Sequence, residues 1–128
     1  TSHNKPSLAS AALFRRLSKM NKPLDMAILG MGSDGHTASL FPFDNNLSDA
    51  LSNNNKNLTH YLELKEFSTQ RISLTFRFLN TANNKILYIL GEEKLEVLMR
   101  ALSIDNPIEM PICAFLKDPI TIYWSPQK

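Results

Sequence analysis

The sequence carries a single cysteine, Cys113, in 128 residues. One thiol excludes an internal disulfide and a thiolate metal cluster, which fits a reducing compartment, and Cys113 reads as a small buried hydrophobe. Long hydrophobic runs are absent: no stretch approaches the ~20 apolar residues needed to span a bilayer. The amino end, TSHNKPSLAS, lacks the charged-then-apolar layout of a signal peptide. The expectation is a cytoplasmic protein with no membrane partner. Charge of one sign is not in excess either, since 14 Lys and Arg against 12 Asp and Glu leave a formal net charge of +2 with no dense basic run. Electrostatics therefore gives no case for a nucleic-acid partner, while small anions remain suitable ligands. Glycine is scarce, and three of the four glycines fall at Gly30, Gly32 and Gly35.

What is present suffices for one modest soluble domain, with 43% of residues hydrophobic and 20% charged. In LASAALFRRLSKM, Leu8, Ala12, Leu13 and Leu17 fall close to one face, which predicts a first helix with Ser7 as its cap, stopped by the Asn-Lys-Pro at 21–23. The apolar run from Met26 to Leu29 predicts a strand covered on both faces in a parallel sheet. FDNNLSDALSNNNKN is too polar to hold a strand and predicts a mobile loop. HYLELK alternates as a strand, whereas RISLTFRFLN fits both a two-residue and a helical period. KILYIL, Gly91 and EEKLEVLMRAL predict a second strand-turn-helix unit, with Leu95, Leu98, Met99 and Leu102 on one helix face. Asn106-Pro107 breaks the pattern, and ITIYW supplies a last strand. The alternation predicts an α/β fold. The chain begins at Thr1 and its first helix has no obvious packing partner, so a fragment is the expectation.

The G-x-G-x-x-G spacing of Gly30, Gly32 and Gly35 after a strand admits two chemistries. A dinucleotide cradle needs a long following helix and an acidic residue about 20 positions further on. Here Pro42 ends the segment soon after His36, the downstream region is SNNNKNL, and Asp34 would set a carboxylate close to the phosphates. The alternative is an open turn that presents Asp34 and His36 at the carboxyl edge of the sheet. A neutral imidazole can remove a proton from water near pH 7, and a neighbouring carboxylate fixes its tautomer and stabilises the cation formed. A third reading leaves Asp34 as a turn former and His36 as a polar residue at a helix start.

The stretch DMAILGMGSDGHTASLFP, Asp25 to Pro42, resembles the signature of the 6-phosphogluconolactonases, in which G-x-G-x-D-G-H-T-A-S-L-F-P follows a central strand. The related glucosamine-6-phosphate deaminases share the portion through the histidine but differ after it, so TASLFP favours the lactonases. RISLTFRFLN, GEEK at Gly91 to Lys94 and ITIYW resemble later blocks of the family in order, and the resemblance covers nearly the whole chain. It implies a Rossmann-like parallel sheet with helices on both faces, a strand turning into a helix near Thr75, and no metal or other cofactor. It further implies hydrolysis of 6-phosphogluconolactone to 6-phosphogluconate in the pentose phosphate pathway. By the same resemblance His36 is the general base for the attacking water, Asp34 its acidic partner, and Lys94 a ligand of the substrate phosphate, with Arg71 a second candidate. A lysine in the first turn of a helix opposes the positive end of the dipole, and a bound anion would relieve that conflict. Amides from Gly32 to Gly35 are inferred to face the oxyanion.

Two departures stand out: FSTQ precedes Arg71 where the family often has prolines, and Arg77 occupies a position that is more commonly apolar or proline. Family members are also considerably longer, with an upstream Gly/Ser-rich phosphate loop and a further arginine that this sequence lacks. Residues 1–128 are therefore expected to be the carboxyl-terminal portion of a single sugar-phosphate lactonase domain. Its expected partners are a small sugar-phosphate lactone and the amino-terminal half, in the same chain or another. The rival expectations are a sugar-phosphate isomerase or deaminase of the same superfamily, and a noncatalytic sugar-phosphate-binding fragment.

Overall fold

The computed structural model describes residues 6–20, 23–64 and 69–127. In chain order the elements are α1 (Pro6–Ser18), β1 (Met26–Leu29), α2 (Leu47–Leu51), β2 (Thr59–Leu64), β3 (Thr69–Leu74), α3 (Phe76–Leu79), β4 (Asn84–Leu90), α4 (Glu92–Ile104), α5 (Ile112–Leu116) and β5 (Thr121–Ser125). The three apolar runs form one parallel sheet in the order β1-β4-β5, and β2 pairs antiparallel with β3. This is the expected α/β architecture, and it brings the carboxyl end of β1 and the start of α4 to the same edge.

The core lies on one face of the parallel sheet. Ala27, Leu29, Leu87 and Ile89 point into it and pack with Val97, Leu98 and Ala101 of α4 and with Ile112, Cys113 and Phe115 of α5. Phe115 is fully buried and meets Phe76 edge-on at 4.9 Å. The opposite face carries Met26, Ile28, Tyr88, Leu90 and Tyr123, all exposed among the described residues. β1 was expected to be covered on both sides, yet Ile28 is 67% exposed. A continuous apolar run does not distinguish a doubly covered strand from one whose second face lies open.

Four further expectations change. The polar segment after Pro42 contains α2, whose Leu47 and Ala50 enter the core, because two well-spaced apolar residues are enough to seat a short helix. α4 buries Val97, Leu98 and Ala101 and leaves Met99 and Leu102 more than half exposed. The stripes 94-97-98-101 and 95-98-99-102 have the same helical spacing one residue apart, and small Ala101 permits the close approach. α1 has a packing partner in β2 and β3: Ala9 is buried, and Ser10 Oγ donates to Thr59 Oγ1 at 2.9 Å. The helix already includes Pro6, so Ser7 lies within its first turn and is not the cap. Lys65 and the FSTQ positions through Ser68 lie outside the described residues, as do Asn21 and Lys22. The ambiguous segment resolves at Thr75, whose Oγ1 accepts the Phe78 N–H at 3.4 Å and caps α3. Among the described residues no helix is long and apolar enough to cross a membrane.

Candidate active site

The chain leaves β1 at Gly30 and closes a loop upon itself. Buried Thr37 donates its hydroxyl to the Gly30 carbonyl at 2.7 Å, Gly32 N–H donates to the His36 carbonyl at 2.9 Å, and Gly35 N–H donates to the Gly32 carbonyl at 3.0 Å. Gly35 requires the freedom of glycine, with φ at 82° and a hypothetical Cβ only 2.8 Å from Met110 Cβ. At Gly32 the need is space, because a Cβ there would lie 2.1 Å from His36 Cε1. Gly30 has nothing within 4 Å of such a Cβ. The glycine pattern thus shapes a turn around an imidazole, and two of its amides are already spent inside the loop. The expectation that amides from Gly32 to Gly35 as a group face an oxyanion fails for Gly32 and Gly35 on that account.

Within the loop Asp34 Oδ1 meets His36 Nδ1 at 2.5 Å and also accepts the His36 backbone N–H at 3.0 Å. Partial burial pushes the Asp34 carboxyl up, but the His36 N–H and imidazole outweigh it and hold the group below its ordinary range. A carboxylate at Nδ1 keeps the neutral ring protonated there, leaving the Nε2 lone pair to accept a proton. The imidazole side chain is 31% exposed, so solvent reaches the ring. Phe41 stacks on the ring at a centroid distance of 4.3 Å, and Phe43 leans on Phe41 at 5.2 Å. Ala38, in the left-handed region at φ 52°, reverses the chain between His36 and Leu40.

The start of α4 grips the same loop. Half-buried Lys94 donates from Nζ to the Met31 carbonyl at 2.8 Å, and Ser33 Oγ donates to Glu93 Oε1 at 2.8 Å. Arg100 adds a bond from Nη2 to the Ser33 carbonyl at 3.1 Å. Asp34, His36 and Lys94 therefore meet at one loop. Arg71 stands apart, exposed on β3 opposite Leu62, and makes no side-chain hydrogen bond or ion pair among the described residues. It shares a strand face with Ser73, whose Oγ accepts the Ser39 N–H at 3.1 Å. Sequence reasoning missed Phe41, Glu93 and Arg100 as parts of the site. Phe41 lay in the quoted TASLFP block, but only the folded loop turns it onto the histidine. Among the described residues no group of three His, Cys, Asp or Glu side chains is arranged to hold a metal ion. A cavity of about 510 Å³ lies between α1 and residues 46–61 and does not include the Asp34–His36 pair.

A family model described as glucosamine-6-phosphate isomerases/6-phosphogluconolactonase matches residues 1–124. A 6-phosphogluconolactonase of Rhizobium meliloti is 38% identical over 121 residues, which are 92% of this chain and 52% of that protein. One of Pseudomonas putida is 43% identical over 104 residues, 81% of this chain and 43% of that protein. The crystal structure of a 6-phosphogluconolactonase from Shewanella baltica superposes with a TM-score of 0.89 at 31% identity, covering 98% of this chain and 54% of that one. A monomeric glucosamine-6-phosphate deaminase shares the fold, with a TM-score of 0.73 at 15% identity. The chain spans about half the length of the curated relatives it matches.

Proposed function

The chain belongs to the family of glucosamine-6-phosphate isomerases and 6-phosphogluconolactonases, and on that premise we propose that it is the base-bearing, carboxyl-terminal portion of a 6-phosphogluconolactonase domain. The observation that carries this reading is the 2.5 Å pairing of Asp34 with Nδ1 of His36 on a loop at the carboxyl edge of the parallel sheet. Nε2 of His36 takes a proton from water as the water oxygen bonds to the lactone carbonyl carbon. The ring C–O bond then breaks, and the imidazolium returns the proton to the departing alkoxide, giving the open-chain acid. Asp34 fixes the tautomer and stabilises the imidazolium. Lys94 Nζ has three protons and spends one on Met31, so two remain for the substrate phosphate, with Arg71 as a second anchor. The Ser33 N–H, which donates no hydrogen bond among the described residues, is a loop amide left for the oxyanion.

The second half of the site is assigned to a segment equivalent to the rest of the relatives' length, in this chain or another. Two observations support it: the relatives are about twice as long, and the apolar sheet face of Met26, Ile28, Tyr88 and Tyr123 is open. The lactonase reading is preferred to a deaminase because the named lactonases are 38% and 43% identical, whereas the deaminase likeness extends to fold alone.

Hydrolysis of 6-phosphogluconolactone by this chain, titrated with the amino-terminal half of the Rhizobium meliloti enzyme, tests the proposal. Little turnover is expected from the chain alone, and a saturable gain on titration. His36→Ala should lower the gained turnover at least ~10²-fold without unfolding the protein. Full turnover by the chain alone overturns the half-site assignment. Unchanged turnover in folded His36→Ala removes the histidine from the chemistry, and phosphate-ligand binding without turnover in any mixture favours a noncatalytic binding fragment.

A further inference from the structure

We propose that one rung of the antiparallel strand pair, His60 of β2 with Ser73 of β3, is a clamp that positions the His36 imidazole through Phe41. The two residues are ladder partners, and such partners project from the same face of the sheet. Both reach the segment that follows the histidine. Ser73 Oγ takes the Ser39 N–H at 3.1 Å, and His60 Nε2 meets Asp44 Oδ2 at 2.6 Å. Phe41 lies between these anchor points, and its ring is the one stacked on His36.

The clamp is dry where the base is wet. Asp44 and His60 side chains are 7% and 10% exposed, against 31% for His36. A side-chain hydrogen bond away from water holds its geometry strongly, since parting it leaves a buried polar group unpaired. The turn it holds is itself stiff: Asp44 N–H donates to the Phe41 carbonyl at 3.2 Å, and Asp44 Oδ1 accepts the Asn46 N–H at 3.0 Å. Among the described residues, the Asp44–His60 bond is the one side-chain hydrogen bond from residues 41–46 to a strand. The division of labour follows from geometry. Asp34 holds one nitrogen and so selects the tautomer, while rotation about the Cβ–Cγ bond still lets the ring plane tilt within the tolerance of that hydrogen bond. The stacked Phe41 ring fixes the plane, and with it the direction of Nε2. His60, Ser73, Asp44 and Phe41 are positioning residues in this assignment.

The importance of that direction rests on His36 being the base, but the test reads ring geometry and not turnover, so the two proposals fail separately. In aromatic proton–carbon NMR of this chain, Phe41→Leu removes the ring current on the His36 Cε1–H and calibrates its full displacement. Asp44→Ser keeps an oxygen for the Asn46 N–H but is too short to reach His60. It is expected to move the His36 signal by more than half of the Phe41→Leu displacement, and to add nothing when combined with Phe41→Leu. His60→Gln, which retains an amide for Asp44, should hold the signal near its original place, and Ser73→Ala should displace it by releasing the other anchor. Where Asp44→Ser fails to fold, His60→Phe, which keeps the volume and removes the bond, is judged by the same criterion. An unmoved His36 signal in either folded variant, an additive double variant, or loss of folding in both overturns the clamp.

Discussion

Replacing Gly32 by alanine adds one methyl group whose collisions are fixed by the fold. A Cβ there lies 2.1 Å from His36 Cε1, 2.2 Å from Nδ1 and 2.9 Å from Asp34 Oδ1. Non-bonded carbons approach to about 3.5 Å, so the imidazole must retreat by roughly 1.4 Å or the loop must open. A movement of that size is more than the 2.5 Å bond to Asp34 and the 4.3 Å stack on Phe41 can both absorb. Backbone strain plays no part, because Gly32 is not among the left-handed residues. Misplacing a reacting group by about 1 Å costs on the order of 10²-fold in rate. Gly30→Ala is the matched control: the same change, two positions away, meets nothing within 4 Å. Nitrogen-detected NMR of the histidines in this chain should report loss of the Nδ1–H, carboxylate-bonded state in Gly32→Ala and its retention in Gly30→Ala. Lactone hydrolysis by the chain with its complementing half should fall about 10²-fold in Gly32→Ala. A Gly32→Ala protein whose His36 signals match those of Gly30→Ala would refute the reasoning.

Lys94→Ala should weaken capture of a phosphorylated lactone by roughly 1.5 to 3 kcal/mol while barely affecting an unphosphorylated one. Equal losses on both would trace the effect to the lost Met31 contact and not to phosphate. The Asp34 carboxyl is held below its ordinary 3.8, since the bonds from His36 outweigh the upward push of burial. Its stabilising contribution is therefore present above that value and lost as the pH falls through the depressed folded value. Acid unfolding should show wild type more stable than Asp34→Asn at mildly acidic pH, with the gap closing below pH 3.8, and a gap that persists to full protonation would contradict this. Burial pushes the Cys113 thiol up, and its Sγ donates to the Ala101 carbonyl at 3.2 Å, so thiol reagents at neutral pH should modify it only at the rate of unfolding. Labelling of the native protein as fast as that of a denatured control would disprove its packing.

The strands and the Asp34–His36 pair were legible in the sequence because both depend on neighbours along the chain. Met26 to Leu29, Lys85 to Leu90 and Ile120 to Trp124 are apolar runs bounded by turn residues, and they form the parallel sheet with small shifts at the ends. Asp34 and His36 are two residues apart in a glycine turn, close enough for a local hydrogen bond without any distant help. Thr75 resolved as a cap for the same reason, acting on the N–H three residues ahead. Local chemistry does not decide which of two equivalent faces is covered. The burial of Val97 and Ala101 instead of Met99 and Leu102, and the opening of Ile28 to solvent, depend on what stands opposite. The same limit applies to α2, read as loop because its polar residues outnumber the two that matter, Leu47 and Ala50. Lys94 reaching Met31 is a contact across 63 positions, Arg100 reaching Ser33 one across 67, and Ser39 reaching Ser73 one across 34. Side-chain type and spacing put the Asp34–His36 pair forward. Only the tertiary structure laid Phe41 over the ring and gave that ring a plane, because a stacking partner is chosen by where the chain returns and not by what precedes it.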